Sequence, residues 1–495
     1  MPQRKKVNFL YKTCLLVLYR NISDFCLRID CVGFQNPSKH VAACRKWLME
    51  NVSKIVLTDL YAMEMDHSIR SLTSHRRNPF SHYYFLEIVL HDEIQYFEAQ
   101  QLQLNLSYWR CLFNRFNHLK ILNLSLICTD SLLNLVSEQC PCLEYLNATS
   151  KEMFVPRMAF NCPASGDIQV SDEGLFSLKS CQRLRELVIN EPREIERSNR
   201  KQITYASLRF LLRNIPTLED ISYTDIVRAI IDVNDFDDIE TLNLRIIRHH
   251  NPTANNLKKA FAKCKRINQL NLINWEATST SDAIEEICQN DYQLKILNFQ
   301  NISFNNVFNQ FFEKFGSTLT SISLCQDISE IDLEHIVKIA ACCPNLEFLM
   351  CSVKRTYAIP NVKIKCQRNT FTKLKSLHLM GYNIELSKLL PFCTTSAYNL
   401  EVISLNELTR IRPIVDHIVL KCIHSKNLRQ LDLGGLVLTT AGIENVINHF
   451  PNLNSLAAYC TGDCRDIMQK VMKSNYDFSM RLLRVDDESS SYDSE

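Results

Sequence analysis

Glycine and proline are scarce in this sequence, whose 495 residues include only 9 glycines and 14 prolines. So few glycines argue against a glycine-rich phosphate loop, and the two low counts argue against long flexible linkers. The formal charges nearly cancel at +2, so no strong overall field favours nucleic acid or an anionic membrane. No apolar run reaches the roughly 18 residues needed to span a bilayer.

Sequence motifs of catalysis and metal binding are missing as well. The chain has no His-Glu-x-x-His, Walker loop, Gly-x-Ser-x-Gly or Gly-x-Gly-x-x-Gly. The close pairs Cys140/Cys142 and Cys460/Cys464 lack the second pair that a structural zinc site needs. We therefore expect a protein that is not an enzyme and holds neither metal nor cofactor.

Cysteine, in contrast, is abundant, with 21 residues. Several cysteines fall at apolar repeat positions, among them Cys140, Cys264 and Cys342, and buried free thiols are typical of a reducing compartment. The apolar stretch 9–19 is interrupted by Lys12, and no small-residue cleavage site follows it. We expect a cytoplasmic or nuclear protein.

One phrase recurs along the chain: an apolar residue, two others, Leu, one other, Leu. Clear copies begin at Leu119, Leu294, Leu374, Leu428 and Leu453, and weaker ones at Leu143, Leu184, Leu218, Ile239, Ile267, Leu319, Leu346 and Leu400. From Ile239 onward, the eight steps between copies measure 25 to 28 residues. A period this steady predicts a repeat array.

Each repeat is expected to form a strand, a turn and a helix. The Leu-x-Leu part has the two-residue period of a strand, whereas the following residues, for example 131–136, have helical spacing. One unit cannot bury its own leucines, so stacked neighbours must do so. The predicted fold is an α/β solenoid.

The units resemble the cysteine-containing class of leucine-rich repeats. The resemblance lies in residues 140–146 and 343–349, in Pro451-Asn452-Leu453, and in helix openings such as Thr129-Asp130, Ser171-Asp172 and Thr440-Ala441-Gly442. It implies a horseshoe with a parallel concave sheet and convex helices. The Thr/Ser-Asp pairs among these openings are also suited to cap a helix.

The head of the chain differs from the repeats. Residues 10–22 form an apolar, helically spaced segment, and Ala43-Cys44-Arg45-Lys46-Trp47 follows after a long interval. The two segments resemble the halves of an F-box, although Tyr11 stands where the family has proline. The resemblance implies docking on Skp1 and membership of a cullin-RING ubiquitin ligase, through a set of adaptor-binding residues: Leu10, Cys14, Leu15, Leu18, Tyr19, Ile22 and Trp47.

Two other interpretations of the head stay open. Leu10-x-x-x-Cys14-x-x-x-Leu18 is also the shape of the short box that binds elongin C in other cullin ligases. Alternatively, an amphipathic helix in front of a solenoid serves as a cap that seals the apolar end of the array, in a scaffold unrelated to ubiquitin.

The expected organisation has four parts. An F-box-like adaptor module covers 1–60, lead-in and degenerate repeats cover 61–118, leucine-rich repeats cover 119–480, and an acidic, serine-rich, disordered tail covers 481–495. Strands are expected at 54–60 and 84–90. Residues 150–170 and 191–202 interrupt the period and are expected to form loops.

A target protein is expected to bind the concave face, where the residues between the buried leucines point outward. The candidates are polar and nearly uncharged: Asn243, Arg245, Gln269, Asn271, Asn298, Gln300, His378, Met380, Ser404, Asn406, Gln430 and Asp432. The sequence thus predicts a ubiquitin-ligase subunit that does no chemistry itself, whose head binds an adaptor and whose repeats select a protein substrate.

Overall fold

The computed structural model of the chain describes residues 2–31, 37–70, 79–99, 104–149, 170–189, 203–231, 241–276, 280–304, 307–325, 331–353, 371–381, 386–407, 414–474 and 478–484. The chain divides into two compact units, residues 1–243 and 244–495. The expected loops at 150–170 and 191–202 lie almost wholly outside the described residues.

The first unit opens with a head of four helices: α1 (Pro2–Cys31), α2 (Pro37–Asn51), α3 (Lys54–Arg70) and α4 (Pro79–Val89). Helices α1, α2 and α3 all pack on α4. Helix α4 is buried on several sides, which explains why its apolar residues lack a helical period.

The strands predicted at 54–60 and 84–90 are therefore wrong, because these segments belong to α3 and α4. A short apolar run does not by itself distinguish a buried strand from a buried helix. The helical head extends to Val89, past the predicted boundary at residue 60.

Repeats follow the head within the first unit. They form a parallel five-stranded sheet in chain order: β1 (Tyr96–Glu98), β2 (Ile121–Asn123), β3 (Tyr145–Asn147), β4 (Glu186–Val188) and β5 (Asp220–Ile221). The helices are α5 (Leu106–Phe113), α6 (Asp130–Gln139), α7 (Asp172–Ser177, continued by a 3-10 turn at Leu178–Ser180), α8 (Tyr205–Asn214) and α9 (Ile226–Ile231). The first repeat begins at Ile94, within residues 61–118, for which lead-in and degenerate repeats were predicted.

The second unit contains a parallel ten-stranded sheet, also in chain order. Its strands are β6 (Ile246–His250), β7 (Gln269–Ile273), β8 (Ile296–Gln300), β9 (Ser321–Cys325), β10 (Phe348–Val353), β11 (Ser376–Gly381), β12 (Val402–Glu407), β13 (Gln430–Thr439), β14 (Ser455–Thr461) and β15 (Ser479–Arg484). Buried and half-buried residues alternate along β6 to β9, as expected of a sheet with one covered face.

Helices connect these strands: α10 (Ala254–Lys263), α11 (Ser281–Cys288), α12 (Phe308–Phe315), α13 (Leu333–Cys342), α14 (Leu386–Thr394), α15 (Asp416–Cys422), α16 (Thr440–His449) and α17 (Arg465–Ser474). Each unit is thus an α/β leucine-rich-repeat solenoid, as predicted. Strand β15 carries the repeats to Arg484, so the predicted boundary at 480 is too early, and the rest of the acidic tail lies outside the described residues.

Helix starts in both units use a hydroxyl cap. The side chains of Thr129 and Ser171 accept hydrogen bonds from backbone N–H groups of the first turn of α6 and α7, as predicted. Helix α16 begins at Thr440, as predicted, and its cap is Thr439.

Aspartates link the helix starts of successive repeats. The carboxylate of Asp130 accepts hydrogen bonds from the backbone N–H and the hydroxyl of Ser171, at 2.8 and 2.6 Å. Asp416 accepts the same two bonds from Thr439. Each aspartate therefore holds the cap of the next repeat, and hydrogen bonds to a charged group are the stronger kind.

Asparagines play a matching role at the turns before the strands. The side-chain amide of Asn345 donates to the carbonyl of Ser317 in the preceding turn, at 2.8 Å, and Asn243 donates in the same way to Pro216, at 2.7 Å. Asn345 directly precedes Leu346, the first leucine of its phrase. The equivalent hydrogen bond made by Asn243 therefore indicates that a phrase begins at the next residue, Leu244.

The copy predicted at Ile239 is therefore out of register. The phrase begins at Leu244 and continues with the buried Ile247 and His249, which belong to β6. Consequently Asn243 and Arg245 precede β6 and are not among its outward residues, which corrects their prediction as concave-face residues.

A buried cysteine directly follows the last residue of several helices. Cys140, Cys264 and Cys343 follow α6, α10 and α13, and each is at most 1% exposed. Burial raises the pKa of the Cys140 and Cys264 thiols to about 12, so both stay protonated at neutral pH. Cys343 takes the buried position that was expected for Cys342, which is half-buried.

Within the described ranges, no helix combines the length and the apolar character needed to cross a membrane.

Candidate functional site

The first candidate surface lies on α1, whose two faces differ. One face is buried in the head: Tyr19 packs on Phe85 of α4, with ring centroids 5.3 Å apart, and Ile22 is 4% exposed. The Tyr19 hydroxyl donates to Glu64 Oε2 of α3 at 2.6 Å, and Glu64 Oε1 lies 2.5 Å from His82 Nδ1 of α4. This buried network fixes α1 against both neighbours.

Two of the predicted adaptor-binding residues are therefore misassigned. Tyr19 and Ile22 belong to the core of the head and present no surface to a partner. The apolar spacing along α1 does not distinguish them from their exposed neighbours, because this part of the helix is apolar on both faces.

The opposite face of α1 is exposed and apolar between Leu10 and Val17. Leu10 is 65% exposed, Val17 is 53% exposed, and Cys14 is exposed as well. These three positions are spaced by four and three residues, so they share one side of the helix; we call them the α1 surface. Leu18 is half-buried at its border, whereas Leu15 is half-buried on the side of the helix that carries Tyr19 and Ile22. An exposed apolar stripe of this kind is typical of an interaction surface.

Helix α2 carries the second half of the F-box-like pattern. The Arg45 guanidinium donates to the backbone carbonyls of Glu87, at 2.8 Å, and of Leu90, at the C-terminal end of α4. There a cation stabilises the carbonyl end of the helix dipole, while burial lowers the pKa of Arg45 to about 10. Arg45 thus has a structural contact, whereas Trp47 is 56% exposed.

The second candidate surface is the open face of the sheet in the second unit, the side opposite its buried leucines. We call its outward positions on β7 to β12 the neutral face: three residues on each of six strands, from Gln269, Asn271 and Ile273 on β7 to Val402, Ser404 and Asn406 on β12. None of these eighteen residues is Asp, Glu, Lys or Arg. At the chain's overall 22% of charged residues, about four would be expected.

Ten of the twelve predicted target-binding residues lie on this open face; the exceptions are Asn243 and Arg245. Those on the neutral face are Gln269, Asn271, Asn298, Gln300, His378, Met380, Ser404 and Asn406, while Gln430 and Asp432 lie on the adjoining β13. Some are engaged with each other: Asn271 Oδ1 accepts from Gln269 Nε2 at 3.0 Å and from Asn298 Nδ2 at 2.8 Å.

The middle of the neutral face is apolar and aromatic. The Phe348 ring lies 5.2 Å from the His378 ring, and the neighbouring outward residues are Met350 and Met380. Sequence reasoning missed Phe348 and Met350, although both follow from the alternation that starts at Leu346. Partial burial lowers the pKa of His378, so its ring is neutral at pH 7.

His378 also has a serine neighbour, with Ser376 Oγ 2.7 Å from its Nε2. Among the described residues, the carboxylate whose charge acts on His378 is that of Asp432. Asp432 lies two strands away, about 10 Å at normal strand spacing, which is too far for a hydrogen bond to the ring. The pair contributes hydrogen-bonding capacity to the face.

Charged residues lie at the starts of the strands and pair there. Lys375 Nζ is 2.7 Å from Glu347 Oε2, and Arg429 Nη1 is 3.6 Å from Glu401 Oε2. Glu401 and Arg429, with three asparagines, line an open cleft of about 440 Å³. Such exposed pairs contribute little stability, and their charges lie outside the neutral face.

In the described parts of the chain, no three His, Cys, Asp or Glu residues come close enough together to hold a metal ion.

Comparisons with known proteins give a limited result. No protein-family model and no curated protein matches the sequence. Among solved structures, the chain is similar to one described as the Rad7 and Elc1 complex in yeast, with 14% identity, coverage of 91% of this chain and 93% of that chain, and a TM-score of 0.43.

Proposed function

We propose that this protein is a substrate receptor of a cullin-RING ubiquitin ligase, with a head that docks on an adaptor of the elongin C class and repeats that bind a target. The observation that carries the proposal is the exposed α1 surface. Leu10 and Cys14 are also the first two residues of the short-box pattern Leu10-x-x-x-Cys14-x-x-x-Leu18.

The residues of the two adaptor patterns differ in how exposed they are. In the F-box pattern, Ile22 is buried and Arg45 holds the end of α4. In the short box, Leu10 and Cys14 are exposed and Leu18 lies at the border. This difference favours elongin C. Skp1 remains a second candidate on the strength of the exposed Trp47.

The receptor would act by proximity and without chemistry of its own. A target held by the repeats and a ubiquitin carrier held through the adaptor share one complex, which raises the effective concentration of the target lysine.

The test is co-purification of the full chain with elongins B and C and, separately, with Skp1. We expect elongin binding that Leu10→Asp and Val17→Asp abolish, because a charge on this face would be buried without a partner. Ile55→Asp is the matched control, since Ile55 is an apolar residue of the same head that is 73% exposed on α3.

Three outcomes discriminate between the interpretations. Skp1 binding that Trp47→Asp abolishes would favour the F-box. Binding to neither adaptor would leave a scaffold unrelated to ubiquitin. Unfolding of the Leu10→Asp variant, followed by circular dichroism, would show that the α1 surface caps the array and is not a docking site.

A further inference from the structure

The neutral face differs from its own borders in charge. Beyond β12, the next outward position in the row of Ser404 is Asp432, which is exposed. Along the strand starts lie the paired charges of Glu347, Lys375 and Glu401. Charge is thus present at the β13 border and along the strand starts, and absent from the neutral face itself.

This distribution limits what can be bound there. A charged group brought onto the neutral face would lose water and find no opposite charge, which is unfavourable. Recognition of nucleic acid needs Lys or Arg for the phosphates, and the face has neither. The absence of charge therefore acts against acidic, basic and phosphorylated segments.

The face also has features that favour a neutral polypeptide. Phe348, Met350, His378 and Met380 form an apolar centre, and methionine side chains adapt to irregular partners. Ser323 and Ser404 lie on strands to either side of this centre, and their hydroxyls can donate to or accept from a peptide backbone.

The width of the face sets the length of its occupant. From β7 to β12 there are five steps of about 4.8 Å, or about 24 Å, and an extended chain covers this distance with about seven residues. A segment lying across the strands would reach Asp432 on β13 one residue or two later.

We propose that the neutral face binds an extended, uncharged segment of a target protein, about seven residues long, with a bulky apolar side chain over Phe348, Met350, His378 and Met380 and a basic residue at the end that faces Asp432. This inference rests on the proposed function only in one respect, the ubiquitination of the target after it has bound. The binding itself does not require the adaptor.

The experiment is a selection of random peptides, about twelve residues long, displayed on phage against the immobilised full chain. We expect enriched peptides to share an uncharged stretch with aromatic or large aliphatic residues, followed by Lys or Arg. The best peptide is then synthesised and its dissociation constant measured by fluorescence anisotropy.

Variants then locate the binding site. Ser323→Asp places a carboxylate on the face far from Asp432, and we expect it to weaken the best peptide by about tenfold or more. Ser404→Asp lies beside Asp432 and should weaken only peptides that lack the basic residue at this end. Asn445→Asp adds the same charge at an exposed position of α16 and should leave binding unchanged. Asp432→Asn should weaken only peptides that end in a basic residue.

Other results would overturn the proposal: no enriched peptide, enrichment of highly charged peptides, or equal binding by Ser323→Asp and the unmodified chain. Elongin co-purification of the same variants separates the two proposals. Normal elongin binding without peptide binding contradicts the neutral-face proposal alone, whereas peptide binding without elongin binding contradicts the ligase proposal alone.

Discussion

The two sheets of this protein share an interior and differ on their open faces. In the first unit the strands are two or three residues long, and their outward residues include Glu98, Glu186 and Asp220. In the second unit the strands are at least five residues long, and the outward residues of β7 to β12 are uncharged.

The interior of the two sheets follows one rule. Leu146 of β3 and Leu349 of β10 are both completely buried at equivalent points of the phrase. The leucines are dictated by stacking, since each repeat needs its neighbours to bury its apolar side. The outward residues are not needed for stacking, and it is there that one face became acidic and the other neutral.

The largest expected effect tests the shared interior. Leu146→Ala and Leu349→Ala each remove a buried side chain, and we expect each to lower the free energy of unfolding by about 2–5 kcal/mol. Hydrogen exchange should place the loss in the first unit for Leu146→Ala and in the second for Leu349→Ala.

The exposed Tyr398 provides the control, and Tyr398→Ala should change stability by less than about 0.5 kcal/mol. Equal deprotection of both units by either leucine variant would contradict the division into units that are stabilised by their own repeats.

The second test concerns the aspartates that link the helix starts. A Cβ atom added at Gly174 would lie 2.3 Å from Asp130 Oδ1, and one at Gly442 would lie 2.2 Å from Asp416 Oδ1. We expect Gly174→Ala and Gly442→Ala each to destabilise by about 1–3 kcal/mol, because the carboxylate must leave its place.

A double-mutant cycle sharpens this test. In an Asp416→Ala background the space is open, so Gly442→Ala should then have little further effect. In Asp130→Ala, Gly174→Ala should keep a smaller cost, because its Cβ would still lie 3.0 Å from the Cα atom of residue 130 and from Leu133 Cδ1. Denaturant unfolding measures both cycles. Additive losses in either unit would mean that the glycine is required for another reason.

Much of the architecture follows from the sequence because the phrase repeats. The register at Ile239 does not, because two overlapping phrases compete there and the correct one ends in His249, not leucine. His249 is 1% exposed, so a polar residue occupies a leucine position. The hydrogen bond from Asn243 to Pro216 and the pairing of Ile247 with Leu270 identify the start of the phrase, and both are tertiary contacts.

The head was harder to predict for a different reason. In α4 the residues Phe85, Leu86, Ile88 and Val89 are all buried, so the run is apolar without a helical period. On α1, the sequence identified the segment that carries the candidate surface but not its exposed face. Which residues are buried is decided by the side chains of α3 and α4, for example Glu64.

A smaller effect tests the acidic open face of the first unit. Burial, followed by the charges of Glu186 and Asp220, raises the pKa of the Tyr145 phenol. The combined change Glu186→Gln and Asp220→Asn should lower that pKa but leave it above its usual value, since burial remains. Carbon-13 NMR of labelled tyrosine measures this. Glu138→Gln, an exposed change on α6, should have no effect.

The smallest effect compares one histidine from each unit. Burial lowers the pKa of both His91, in the first unit, and His378, in the second. The unfolded chain therefore binds more protons than the folded one near the usual histidine pKa of about 6.5. The contribution of each histidine to the free energy of unfolding is therefore complete above that pH. It decreases as the pH falls from about 6.5 toward the lowered pKa of the folded state.

Thermal unfolding between pH 7 and pH 5 measures this loss. We expect His378→Gln to reduce the acid sensitivity of the second unit alone, and His91→Gln to reduce that of the first unit alone. His91 Nδ1 is buried without a hydrogen-bond partner, whereas the His378 ring lies on the open face against Phe348. A peptide bound on the neutral face would bury His378 further, so it should lower the NMR-measured pKa of His378 and leave that of His91 unchanged. A peptide that shifts neither histidine is bound elsewhere.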